Sequence, residues 1–240
     1  MACWGLDNSG QSRAPNNSFS AVSAGTDHSC ALDLDASVTC WGNNSEQEST
    51  PLSGSFAFVS AGHDFSCALA NGGATTCWGL NNQGQASPPS TPFVSLATGG
   101  FNGCGLRDDG GIECWGGGNT GIVPAPPGTF GSVCVGNTHA CALDGVGHAT
   151  CWGDSAAGQA APPTGSFDAL ACGNVNTCGL RSNGSVECWG LDTFGVNDVP
   201  DDTFGALGIG VDYGCGITAD GSLECWGFQP TEPPAFVPTE

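Results

Sequence analysis

The residues with most chemistry to offer are fifteen cysteines. Twelve fall into six pairs with a constant separation of ten: Cys30/Cys40, Cys67/Cys77, Cys104/Cys114, Cys141/Cys151, Cys178/Cys188 and Cys215/Cys225. Thiols so placed either hold a metal or oxidise. Structural zinc sites draw on cysteines about two to four residues apart, and the chain has no Cys-x-x-Cys. A separation of ten instead suits an antiparallel hairpin with a three-residue loop, which sets the two cysteines opposite each other at disulfide distance. Such a loop wants a positive-φ glycine at its third position. Gly73, Gly110, Gly147, Gly184 and Gly221 supply it, and Ala36 is the exception. The spacing predicts six disulfides with no metal and no cofactor. Persistent disulfides imply an oxidising place: extracellular, cell-surface or periplasmic. Cys3, Cys134 and Cys172 are left over. A bridge between Cys134 and Cys172 is one outcome, and an odd total leaves at least one thiol free or bonded to another molecule.

Other reactive patterns are sparse. The chain has no nucleophile elbow in a strand–helix setting, no His-Glu-x-x-His and no phosphate loop, so no catalytic residue is expected. Asp27, Asp64 and Asp212 recur in equivalent loops, but no EF-hand-like run of acids surrounds them. Twenty-three acidic residues stand against Arg13, Arg107 and Arg181, for a net charge of −20. That balance excludes direct nucleic-acid binding, which needs clustered cations to displace counterions, and disfavours anionic membrane surfaces. No apolar run approaches the roughly 18 residues of a membrane span. No signal-like segment follows Met1, which reads as a mature or trimmed chain.

The elements that must position these residues are repeats. Trp4, Trp41, Trp78, Trp115, Trp152, Trp189 and Trp226 are each 37 residues apart, and each lies within Cys-Trp-Gly. Phe19, Phe56, Phe93, Phe130, Phe167 and Phe204 recur in phase. Every unit reads as four short strands: A (Phe19 to Gly25), B (His28 to Leu32), C (Val38 to Gly42), and D near a Gly-Gln-x-x-x-Pro stretch such as Gly84 to Pro89. Four strands at a period near 40 make one β-propeller blade. The expected fold is all-β, a single β-propeller domain over residues 1–240. Its units start near Cys3, Cys40, Cys77, Cys114, Cys151 and Cys188, with a partial unit from Cys225, and its tryptophans pack between blades.

The pattern F-x-x-V-x-A-G-x-x-H-x-C-A-L-x-x-D-G-x-V-x-C-W-G-x-N-x-x-G-Q resembles the regulator of chromosome condensation repeat. Its short, indel-free form is most similar to bacterial members such as β-lactamase inhibitor protein II. The resemblance implies a ring, usually of seven blades, that binds other proteins through one face. Counting gives seven C strands but only six A and six B strands. Six closed blades by count and seven by family precedent both stand, with the sheet edge hidden by strands from both termini. Pro233 to Val237 could begin a seventh A strand.

Repeats that agree in framework but differ in their A–B connections present a composite surface. The variable triplets, with the C–D loops beside them, give the expected partner-binding residues: Asp27, His28, Asp64, Phe65, Phe101, Asn102, His139, Asn176, Asp212 and Tyr213. In inhibitor-type relatives this position carries aromatic contacts to the bound enzyme, which the resemblance transfers to Phe65, Phe101 and Tyr213. His28 and His139 share one repeat phase just before strand B, which also fits a framework role. The function read from the sequence is a non-enzymatic, extracellular, protein-binding scaffold. The alternatives are a self-assembling surface or fibre component completed through its unfinished blade and Cys3, and a lectin-like carbohydrate binder.

Overall fold

The computed structural model describes residues 3–117 and 120–228. Eighteen strands form six three-stranded antiparallel sheets, each built from consecutive strands in the order A–B–C. Blade 1 is β1 (Phe19–Ala24), β2 (His28–Asp33) and β3 (Val38–Gly42). Blade 2 is β4 (Phe56–Ala61), β5 (Phe65–Ala70) and β6 (Thr75–Gly79). Blade 3 is β7 (Ser95–Gly99), β8 (Asn102–Leu106) and β9 (Ile112–Gly116). Blade 4 is β10 (Phe130–Val135), β11 (His139–Asp144) and β12 (Ala149–Gly153). Blade 5 is β13 (Ala169–Cys172), β14 (Asn176–Leu180) and β15 (Val186–Gly190). Blade 6 is β16 (Phe204–Ile209), β17 (Tyr213–Thr218) and β18 (Leu223–Gly227).

The predicted hairpin chemistry is present. Cys30 pairs in register with Cys40, and the other five B–C cysteine pairs do likewise. All six form disulfides with Cα atoms 4.0–4.1 Å apart, as directly opposed, non-hydrogen-bonded pairs approach most closely. The B–C turn glycines have φ near +84°, as at Gly73, and Ala36 is driven into the same left-handed region at φ 68°. The glycine of Cys-Trp-Gly is equally constrained. At Gly79 φ is +101°, and a Cβ would lie 2.6 Å from the Asp64 carbonyl oxygen.

The fourth strand is a correction. The stretch from Gly84 to Pro89 is not a strand but consecutive turns, closed by Gly84 N–H to Asn81 O and Ser87 N–H to Gly84 O. Gly84 has φ +80°, and Pro88 and Pro89 have no N–H to give a ladder. Among the described residues, only the single bridges Val38 to Leu52 and His148 to Ser166 mark where a D strand would pair.

The turns do different work. Each blade tryptophan donates its indole N–H to a carbonyl 30 residues earlier, in the turns that follow the preceding C strand. The acceptors are Gln11 for Trp41, Glu48 for Trp78, Gln85 for Trp115, Ile122 for Trp152, Gln159 for Trp189 and Val196 for Trp226. Trp78, Trp115, Trp152 and Trp189 also pack in clusters with cysteines of the preceding blade's disulfide. Trp78 covers Cys30, Leu32 and Val38, and Trp115 sits with Phe65, Cys67 and Leu69. The core is thus a series of junctions, one between each pair of successive blades. Inner strands are stitched as well: Ala61 N–H donates to Ser23 Oγ, the Ser60 and Thr98 hydroxyls lie 2.8 Å apart, and Cys134 is joined to Cys172. The open option for those two leftover cysteines is therefore resolved as a disulfide between blades 4 and 5, and Cys3 is the free thiol.

Six blades are present, but no comparable packing joins blade 6 to blade 1 among the described residues. The strand expected at Pro233 to Val237 lies outside the described residues.

Candidate functional site

The A–B turns are two-residue hairpin loops clasped by backbone hydrogen bonds such as Gly62 N–H to Phe65 O. In each of the six blades the residue after Cys-Trp-Gly donates to that blade's A–B turn, as Asn43 to Asp27 O, Leu80 to Asp64 O and Phe228 to Asp212 O. This bond places every A–B turn beside the start of its C–D loop, so both sets of variable residues share one side of the arc. Neighbouring turns are joined in places, with His63 N–H on Gly100 O and Asn137 N–H on Asn174 O.

Five of the ten expected contact residues are not on that surface. His28, Phe65, Asn102, His139 and Asn176 are at most 1% exposed. They occupy the first position of strand B, the middle strand of each sheet. Phe65, for example, packs on Phe93, Leu96 and Trp115 of blade 3. These five shape the turns from beneath. Asp27, Asp64, Phe101 and Asp212 are partly exposed, and Tyr213, in the same phase as Phe65, is 39% exposed, with no further blade packed on it among the described residues.

The buried histidines have a geometry that invites a catalytic reading. His28 Nε2 lies 2.8 Å from Ser66 Oγ, and His139 Nε2 lies 2.7 Å from Thr177 Oγ1. Each hydroxyl, however, donates onward to a backbone carbonyl, Ser66 to Glu48 O and Thr177 to Gln159 O. Nε2 must then carry the proton and donate, so the imidazole is no base toward the hydroxyl. Both hydroxyls are also fully buried. Burial pushes both imidazoles down to about 4, which keeps them neutral. These are junction bolts.

Among the described residues, the grouping with ligand atoms close enough for a metal is His139, Cys141 and Cys172. Both sulfurs are committed, to Cys151 and Cys134. The recurrent carboxylates do not converge: Asp64 Oδ2 lies 2.6 Å from His63 Nδ1, and Asp27 accepts from Gln11.

The loop side carries two aromatic pairs. The His63 and Phe101 rings meet in a tilted arrangement with centroids 5.1 Å apart, bridging blades 2 and 3. Phe194 of the C–D loop after β15 meets Phe228 at 5.5 Å, with 48% and 54% of their surfaces exposed. His63 and Phe194 stood within the variable segments but were not among the expected contacts. Phe228 was missed, although it repeats the phase of Leu6, Leu80 and Leu191.

Taken together, the described residues form a disulfide-stapled series of six propeller blades with a variable loop side. The sequence profile of the regulator of chromosome condensation (RCC1) repeat matches residues 19–48 and 56–85. Among solved structures, the entire ectodomain of the receptor kinase CR4 from Physcomitrella patens is 31% identical, with a TM-score of 0.81 over 99% of this chain and 69% of that one. The CRINKLY WD40 ectodomain of the Arabidopsis thaliana receptor kinase ACR4 is 26% identical, with a TM-score of 0.77 over 92% of this chain and 84% of that one. Yeast RCC1 (Prp20), solved bound to Kap60, shares the fold at 18% identity, with a TM-score of 0.73 over 91% of this chain and 74% of that one. No curated protein matches the sequence. The chain belongs to the regulator of chromosome condensation repeat family.

Proposed function

We propose that the protein is a non-enzymatic extracellular scaffold that binds another protein through its A–B turns and C–D loops. The observation that carries this reading is the exposed Phe194–Phe228 pair beside Val211, on a frame whose backbone bonds repeat while its loop residues vary. Clustered exposed aromatics mark interaction surfaces, and binding energy concentrates in such anchors. Seven disulfides and likeness to two receptor ectodomains support an extracellular setting. Likeness to a yeast protein solved bound to Kap60 supports a protein as the ligand class. Asp27, Asp64, Phe101, Asp212 and Tyr213 belong to this surface.

The test is cross-linking capture by the biotinylated protein from conditioned medium and cell surfaces. Phe194→Ala/Phe228→Ala and His63→Ala/Phe101→Ala change only exposed or half-exposed side chains. At least one pair should lower recovery of a specific partner by more than about tenfold, as expected for anchor residues. Unchanged recovery with both would remove the loop side from consideration.

A further inference from the structure

In every blade one inner-strand residue lies opposite the B-strand cysteine of the hairpin bridge. The register sets Ser23 against Cys30, Ser60 against Cys67, Ala97 against Cys104, Cys134 against Cys141, Ala171 against Cys178 and Gly208 against Cys215. Only blade 4 has sulfur at that position. The row continues to the C strand, so Cys134, Cys141 and Cys151 lie side by side across β10, β11 and β12. Cys134 is bridged to Cys172 of β13, and Cys141 to Cys151. The Cys141 and Cys172 sulfurs lie within 4.8 Å of each other. Two disulfides thus meet at the junction of blades 4 and 5, a sulfur of each within reach of the other.

The bridges differ in access. Cys30, Cys67, Cys104, Cys141 and Cys178 have no exposure, so each hairpin bridge of blades 1–5 has one shielded end. Cys134 and Cys172 are both half-buried. Exchange proceeds by attack of a thiolate on a disulfide sulfur, at a rate that depends on access, so the inter-blade bridge is the one opened first. Cys215 and Cys225 of blade 6 are also half-buried, but Gly208 opposite Cys215 offers no sulfur, and that bridge has nothing to exchange with.

We propose that Cys134–Cys172 is a thiol-exchange site coupled to Cys141–Cys151, with a small-molecule thiol as its substrate. The external thiolate attacks Cys134 Sγ, a mixed disulfide forms there, the inter-blade bond breaks, and Cys172 departs as a thiolate. Cys172 then attacks Cys141 Sγ. A Cys141–Cys172 bond forms, and Cys151 departs as a thiolate that takes its proton from water. A second external thiolate removes the first as a disulfide. Two external thiols are thereby oxidised, and Cys134 and Cys151 end as the reduced pair. His139 shares the cluster but spends its Nε2–H on Thr177 Oγ1, so it gives no proton to the departing sulfur. The exchange moves the covalent tie of blade 4 from β10 to β11 and releases its hairpin staple. Both changes fall directly beneath the A–B turns of blades 4 and 5, where Asn137 N–H meets Asn174 O. The loop-side aromatics take no part, so this site and the proposed binding surface stand or fall separately.

The test uses the full chain carrying Cys3→Ser, so that the starting protein has no free thiol, and reduced glutathione as the probe. Samples are acid-quenched over time, unfolded, alkylated and mapped as peptides without reduction. Cys134–Cys172 should open about tenfold faster than Cys30–Cys40, Cys67–Cys77, Cys104–Cys114 or Cys178–Cys188, as its access dictates. A linked Cys141–Cys172 peptide and alkylated Cys151 should follow. In Cys134→Ser/Cys172→Ser, Cys141–Cys151 should open as slowly as Cys67–Cys77, because the route through Cys172 is gone. Hairpin bridges of blades 1, 2, 3 and 5 that open as fast as Cys134–Cys172 would overturn the site. Opening of Cys134–Cys172 with Cys141–Cys151 left intact would overturn the coupling, as would a Cys141–Cys151 rate unchanged in the double variant.

Discussion

At the residue scale, the two buried histidines make stability depend on pH in a defined window. Their imidazoles titrate near 4 in the folded protein, against about 6.5 for the unfolded chain. The unfolded state therefore binds protons first as pH falls. The favourable neutral state is fully kept above about pH 6.5, is lost progressively down to about 4, and then stays lost. The shift corresponds to roughly 3 kcal/mol per histidine. The lowered carboxylates Asp7, Asp35, Asp109, Asp144 and Asp220, held down by hydrogen bonds, lose their contribution below the ordinary carboxylate range and so at more acid pH. The repeat itself supplies a tolerated replacement, since Phe65 fills the same position with no exposure. His28→Phe/His139→Phe should flatten denaturant-derived stability between pH 6.5 and 4 and leave the steeper fall below pH 4. A slope unchanged from the parent would show that the histidines are not its source.

At the element scale, what was legible in the sequence depended on whether a feature repeats in phase. Six each of the A, B and C strands, the six hairpin disulfides and the inter-blade tryptophans were legible because each repeats one local geometry, in which a turn fixes register and register fixes contact, whereas the seventh C strand counted at Cys3-Trp4-Gly5 is not a strand. The D strand was misread because Gly-Gln-x-x-x-Pro marks turns as readily as a strand edge, and the buried Gln85 side chain folds back to close those turns on Gln83 N–H. The buried first position of strand B was misread as surface because its contacts come from the next blade, beyond any local pattern. The stitch between Cys134 and Cys172 was left open for the same reason. In the other stitched junctions the equivalent positions meet as a hydroxyl with a backbone N–H or as two hydroxyls, so the disulfide replaces a weak contact with a covalent one. It closes a loop 38 residues apart in sequence, against 10 for the hairpin bridges. In the chain-entropy account the longer loop contributes about 4 kcal/mol and the shorter about 3. Cys134→Ser/Cys172→Ser should therefore lower stability more than Cys30→Ser/Cys40→Ser, as read from urea midpoints under non-reducing conditions. The reverse order would place the stabilisation inside blades.

At the scale of the whole molecule, stability follows from neighbours. Each interior blade buries its Phe, Val and Trp positions against the blade before it and its disulfide and Leu positions against the blade after it. Among the described residues blades 1 and 6 each have only one such blade-to-blade junction, and Val22, Tyr213 and Ile217 are left with exposed apolar surface. In a chain whose units contact only their sequence neighbours, the free energy of local opening is approximately intrinsic stability plus nearest-neighbour interfaces, so the ends open first. All six blades carry the same hairpin disulfide, so differences among them report junctions and not staples. Native-state hydrogen exchange should find the β2 and β17 amides least protected of the B strands, with β5, β8, β11 and β14 more so. The junction between blades 4 and 5, with its additional disulfide, should hold β11 and β14 longest. Uniform protection across the six B strands would mean that the end blades have partners as good as those of the interior ones.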